Sequence, residues 1–151
     1  MKSKDNTFSV ERAEESSGFL LWQVTTLWQR KIRQALEQYD LTHSQFVLLT
    51  SLHWLLLHNR EVTQIILSVH SKIDPMTTSS VLRTLQKKGL IRRQEHATDT
   101  RSKILNITAK GKDLVKKAVV TVERIDRDFF ALLGEDVPVL NRFLNELKNQ
   151  G

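Results

Sequence analysis

Asp74-Pro75 and Gly89 constrain this chain more than any other residues, because together they fix where one helix begins and where it stops. Aspartate is a favoured helix N-cap, and proline at the first helical position loses nothing, since the N–H it lacks would have no intrahelical partner. Glycine enters the left-handed conformation that ends helices without steric cost. A helix from Pro75 to Lys88 follows. At about 100° per residue, Thr78, Val81, Leu82 and Leu85 fall on one side, and Met76, Ser79, Ser80, Arg83, Thr84 and Lys87 on the other. The first set is the core face.

The segments beside this helix define a motif. Upstream, Thr63 caps a shorter helix to about His70, with Ile65, Ile66, Leu67 and Val69 as its buried part, and Ser71-Lys72-Ile73 is only long enough for a turn. Downstream, Leu90–Gln94 and Lys103–Ile107 read as two strands joined by the polar loop Glu95–Ser102. A short helix, a tight turn, a second helix and a hairpin in succession make a winged helix-turn-helix. Longer helices surround it. One runs from Ser17 to Tyr39, after a polar leader. A second opens on Thr42 and Gln45, spaced as a capping box, and ends at Asn59. Thr108 caps a third that Gly134 closes, and Asp136 with Pro138 opens the last, which carries a stripe of Leu140, Phe143, Leu144 and Leu147. The expected fold is mainly α with a small β-hairpin wing.

Composition narrows the function. With 151 residues, 40% hydrophobic and 26% charged, the chain suits one globular domain that needs no disulfide or metal to hold its core. The absence of cysteine excludes disulfide frameworks, thiolate nucleophiles and Cys-based zinc sites, and fits the cytoplasm. No stretch reaches the length of a membrane span, so no membrane partner is expected. The net charge of +6 and isoelectric point near 9.8 favour a polyanion. The cations concentrate in the middle of the chain, as Arg83, Lys87, Lys88, Arg92, Arg93, Arg101, Lys103 and Lys110.

Slim hydroxyl residues near a helix N-terminus with cations further along suit major-groove entry, because arginine can read guanine O6 and N7 with two parallel hydrogen bonds. The plainer reading is a helix start followed by solvated charges. The loop after it changes that balance. Asp99, Thr100, Arg101, Ser102 and Lys103 lie at the hairpin tip, where Arg101 can enter a minor groove with Asp99 holding its guanidinium.

On these residues the chain resembles the MarR family of winged-helix regulators. The resemblance is carried by Leu85-Gln-Lys-Lys-Gly-Leu-Ile-Arg-Arg93, by Asp99-Thr-Arg-Ser-Lys103 and by Leu105-Asn-Ile-Thr-Ala-Lys-Gly111. It implies a single MarR-like domain over residues 1–151, with dimerisation helices at 1–39 and 112–151 and a winged-helix DNA-binding lobe at 40–111. It implies a cytoplasmic homodimer that binds a pseudo-palindromic double-stranded operator, as a repressor. Contacts are expected from Thr77, Ser79, Ser80, Arg83 and Lys87 on the helix and from Asp99, Arg101 and Lys103 on the wing. Many members also respond to a small phenolic or amphipathic effector held between the two parts. Trp22, Trp28 and Trp54 could line such a cavity, although tryptophans more often belong to the core. Two stretches depart from the family pattern. Ile65-Ile66-Leu67-Ser68 stands where many members have Glu-Leu-Ala, and Thr77-Thr78-Ser79-Ser80 is plainer than the usual Thr-Arg pair, so the family's base specificity does not transfer.

Catalysis is not expected, and neither is a cofactor. The five histidines, His43, His53, His58, His70 and His96, show no metal-ligand spacing, and no nucleophile elbow, phosphate loop or dinucleotide loop is present. The alternatives to an operator-binding regulator are a winged-helix protein-interaction module and a non-specific DNA-binding protein.

Overall fold

The computed structural model describes residues 5–58, 61–95, 97–98 and 103–151. Its helices are α1 (Ser17–Leu36), α2 (His43–His58), α3 (Gln64–Ser71), α4 (Pro75–Lys87), α5 (Ala109–Phe130) and α6 (Val137–Lys148), with strands β1 (Ile91–Glu95) and β2 (Lys103–Ile107). This is the mainly helical winged helix-turn-helix that the sequence leads one to expect. Among the described residues, no helix is long and apolar enough to cross a membrane.

α2 is apolar on most of its circumference, the pattern of a helix surrounded by others. It buries Phe46, Leu48, Leu49, Leu52 and Leu55, packed against α3, α4, α5 and β2. Its start is the capping box read from the sequence: the Gln45 N–H donates to Thr42 Oγ1 (3.2 Å) and the Thr42 N–H to Gln45 Oε1 (3.1 Å). It is described as far as His58, and the expected stop, Asn59, lies outside the described residues.

In α3 the apolar residues are not the buried ones. Ile65 and Val69 are 66% and 68% exposed, Ile66 is also exposed, and only Leu67 of the expected set is buried. The inward stripe is Gln64, Leu67, Ser68 and Ser71, which has helical spacing but mostly polar residues. These residues have polar work to do. Ser68 Oγ donates to the Ile73 carbonyl (2.7 Å), as Thr78 Oγ1 does from α4 (3.2 Å), so two buried hydroxyls hold the turn between the helices. Lys72, left-handed at φ 62°, supplies the reversal there.

α4 begins and ends as its sequence signals predict. The Thr77 N–H donates to Asp74 Oδ2 (2.9 Å), and Pro75 occupies the first turn. Gly89 adopts φ +73°, with its N–H bonded to the Gln86 carbonyl and that of Leu90 to the Leu85 carbonyl. This pair is the Schellman arrangement, which satisfies carbonyls left open at the helix end. The chain then enters β1, paired antiparallel with β2 from Ile91 opposite Ile107 to Glu95 opposite Lys103. A further backbone contact joins the hairpin to the lobe: the Leu105 N–H donates to the Val62 carbonyl (2.9 Å), and Thr63 bridges Ile104.

α5 leaves the hairpin at a crowded junction. The Thr108 hydroxyl donates to the Gly89 carbonyl (2.7 Å) and accepts from the Gly111 N–H (3.0 Å). A Cβ at Gly111 would sit 2.1 Å from the Leu90 carbonyl oxygen, so only glycine allows this approach. α1 packs along α5 and buries only Ile32 and Leu36, while its first half exposes Phe19, Leu20, Leu21, Trp22, Val24 and Leu27. α6 buries no residue, and Asp136 makes no side-chain cap, leaving Pro138 in the first turn as the start signal. The tryptophans mostly lie outside the core: Trp22 is 71% and Trp54 58% exposed, and only Trp28 is half-buried.

Candidate nucleic-acid interface

The buried side of α4 is complete, with Thr78, Leu82 and Leu85 all at 0% exposure. Its opposite side is therefore fixed in direction. Met76, Ser80, Arg83 and Lys87 fall within roughly 60° of one another around the helix axis, and all are exposed. Ser79 and Thr84 flank this line half-buried, and Thr77 flanks it exposed. The structure thus presents the expected helical residues on one outward surface.

Two of them have local partners. Hydrogen bonds from the Thr77 hydroxyl and then its backbone N–H hold the Asp74 carboxyl below the ordinary carboxylate range. Arg83 Nε donates to the Ser79 carbonyl (3.5 Å), which draws the root of the guanidinium along the helix toward the small residues.

Several neighbouring cations have partners within the chain. Lys88 Nζ donates to the Asp40 carbonyl and to Gln45 Oε1 (3.1 Å) and lies 3.4 Å from the Asp40 carboxylate, which ties the exit of α4 to the start of α2. Lys110 Nζ donates to the Lys88 carbonyl (2.9 Å) and Arg93 Nη1 to Gln64 Oε1 (3.3 Å). Lys103, half-buried, pairs with Glu95 across the hairpin at 3.3 Å. For Lys88, Lys110 and Arg93, sequence alone could not show this, because their partners are distant in the chain, whereas Lys103 faces Glu95 within the hairpin. Asp99 and Arg101, expected at the wing tip, lie outside the described residues, as does His96.

A cleft of about 840 Å³ opens between α2 and α5, lined by Phe46, His53, Trp54, Val119 and Asp126 among others, with His70 of α3 at its edge. Trp54 stacks on His58 with ring centroids 4.4 Å apart, and His58 Nδ1 lies 2.7 Å from the Trp54 carbonyl. His53 Nδ1 is buried there without a hydrogen-bond partner. No sequence signal pointed to His53, because its surroundings come from helices far apart in the chain. Among the described residues, no group of histidine and carboxylate side chains is arranged to hold a metal ion.

Residues 37–126 match the family model described as an ArnR1-like, winged-helix domain. The chain is 48% identical over 135 residues to the HTH-type transcriptional regulator YdcH of Bacillus subtilis, covering 89% of this chain and 92% of that one. It is 28% identical to the HTH-type transcriptional repressor Rv2887 of Mycobacterium tuberculosis, over 77% of this chain and 81% of the relative. Among solved structures, the MepR–DNA complex of S. aureus superposes with a TM-score of 0.79 at 26% identity, covering 87% of this chain and 96% of MepR.

Proposed function

The chain belongs to the MarR-type family of winged-helix, DNA-binding transcriptional regulators, and on that premise we propose that it is a cytoplasmic repressor that binds a pseudo-palindromic operator as a homodimer. The observation that carries the reading is the division of α4. One side is sealed into the core and the other presents Ser80, Arg83 and Lys87 in a line. Thr77 and Ser79 border that line, and the resemblance adds Asp99, Arg101 and Lys103 from the wing. Lys103 also pairs with Glu95 across the hairpin at 3.3 Å.

The homodimer is supported by the apolar faces of α1 and α6, which one chain leaves uncovered. Two-fold symmetry then sets the recognition helices about one turn of DNA apart, on half-sites of matching symmetry. The repressor role is supported by the name of the mycobacterial relative. The cleft between α2 and α5 supports a small amphipathic or phenolic effector, because Trp54, Phe46 and Val119 offer apolar walls near the unpartnered His53 nitrogen.

Binding to duplex DNA over a salt series tests the reading. Affinity should fall steeply with salt, with a log–log slope of about −0.9 for each phosphate contact. Arg83→Ala should cost about 1–3 kcal/mol and relax preference at one base pair per half-site. Arg101→Ala should weaken operator binding strongly and leave the dimer intact. A protein without affinity for any duplex at low salt would be an interaction module instead, and one that binds all duplexes equally would be a non-specific DNA binder.

A further inference from the structure

The only large apolar side chain on the outward line of α4 is Met76. It is 84% exposed, more than any other large hydrophobic residue described between Asp40 and Gly111. It heads the same line as Ser80, Arg83 and Lys87, at relative positions i, i+4, i+7 and i+11, so a surface that meets Ser80 and Arg83 also lies under Met76. The helix is held rigidly there. Its first turn is capped by Asp74 and fixed by Pro75, and Thr78, two residues on, is anchored to the Ile73 carbonyl. The Cα–Cβ bond of Met76 therefore has a set direction, and no described residue of the lobe covers the side chain.

In a major groove, the one apolar group that a base edge offers is the 5-methyl of thymine. A thioether chain is long, unbranched and polarisable, which lets it fit against that methyl where a shorter side chain would stop short. Arginine, serine and lysine on the same line answer acceptors and phosphates and have no use for a methyl. We propose that Met76 is a specificity-determining residue that reads a thymine in each half-site through its 5-methyl group. This deepens the operator-binding reading and rests on α4 being the helix that enters the major groove.

The test starts from an operator selected out of randomised duplex DNA with the full-length protein. Each thymine is then replaced, one at a time, by deoxyuridine, which removes the methyl and keeps the pairing. The wild type should lose about fourfold affinity for each buried methyl removed, at one symmetry-related position per half-site. Met76→Ala should bind the thymine operator more weakly by a similar factor and bind the thymine and uracil versions alike. The substitution is at an exposed site and favours helix, and circular dichroism checks the fold. Steep salt dependence with no penalty at any deoxyuridine would overturn the proposal and leave the operator-binding reading standing. So would a uracil penalty that survives in Met76→Ala, which would assign the methyl to another side chain. Failure to select any operator, with no salt-dependent binding to duplex DNA, would overturn both.

Discussion

Leu82 and Leu144 are both leucines on the apolar stripe of an amphipathic helix, yet Leu82 has no exposed surface and Leu144 keeps 42% of its own. The first lies in α4, whose core face is sealed by a cluster drawn from α1, α2, α3, the hairpin and α5. The second lies in α6, which buries no residue and borders mainly on the short turn Ala131–Asp136. The same residue type at the same helical spacing therefore serves two ends. The lobe obtains its stability within one chain, whereas the apolar faces of α1 and α6 gain theirs only when something covers them.

Leu82→Ala is the strongest way to break this comparison. It empties a fully buried site and should lower unfolding stability by about 2–5 kcal/mol, at every protein concentration, as measured by urea denaturation. A loss that shrinks as concentration rises would mean that the lobe also depends on association. Phe143→Asp, on the exposed stripe of α6, probes the other side. It should leave the lobe folded, shift the sedimenting species from dimer to monomer, and remove the concentration dependence of Tm. At about a hundredfold above the dissociation constant, that is an apparent stability of about 2.7 kcal/mol. A wild type that already sediments as a monomer would remove the dimer from the account, and a variant that still sediments as a dimer would move the seam away from Phe143.

The parts of the lobe visible in the sequence are those set by local chemistry. Asp74-Pro75, Gly89, the Thr42–Gln45 box and the Thr63 and Thr108 caps each act within a few residues, and each lies where its residue type requires. The phase of α3 was hidden. Gln64 and Ser68 turn inward because Arg93 and the Ile73 carbonyl need them, and no count of apolar residues shows that need. The Val62 contact with β2 is too short to leave a strand pattern. The interface was legible in part: the outward line of α4 followed from periodicity, but the diversion of Lys88 to Asp40 and Gln45, and of Arg93 to Gln64, depended on tertiary partners.

The smallest expected effect falls where the lobe meets α1 and α5. His43, the first residue of α2, meets the Trp28 ring edge-on with centroids 5.1 Å apart, and the Trp28 indole N–H donates to Asp126 Oδ1 (2.8 Å). Burial lowers the His43 pKa below its ordinary 6.5, Asp126 pulls it back upward, and Arg33 lowers it further. The folded state thus favours the neutral ring. The unfolded chain takes up the proton first as pH falls, so the contribution is full above 6.5 and is lost as pH falls through the lowered folded value. One proton sets a ceiling of about 1.4 kcal/mol per pH unit, and a half-exposed ring stays below it. Urea midpoints compared between about pH 7.5 and pH 5.5 should drop further for the wild type than for His43→Gln. Because Trp28 sits against the same ring, its fluorescence should change over that interval in the wild type alone. Equal slopes for both proteins would show that the joint between lobe and flank carries no proton-linked term, and its stability would then rest on the Trp28–Asp126 bond and the packing of α1 on α5.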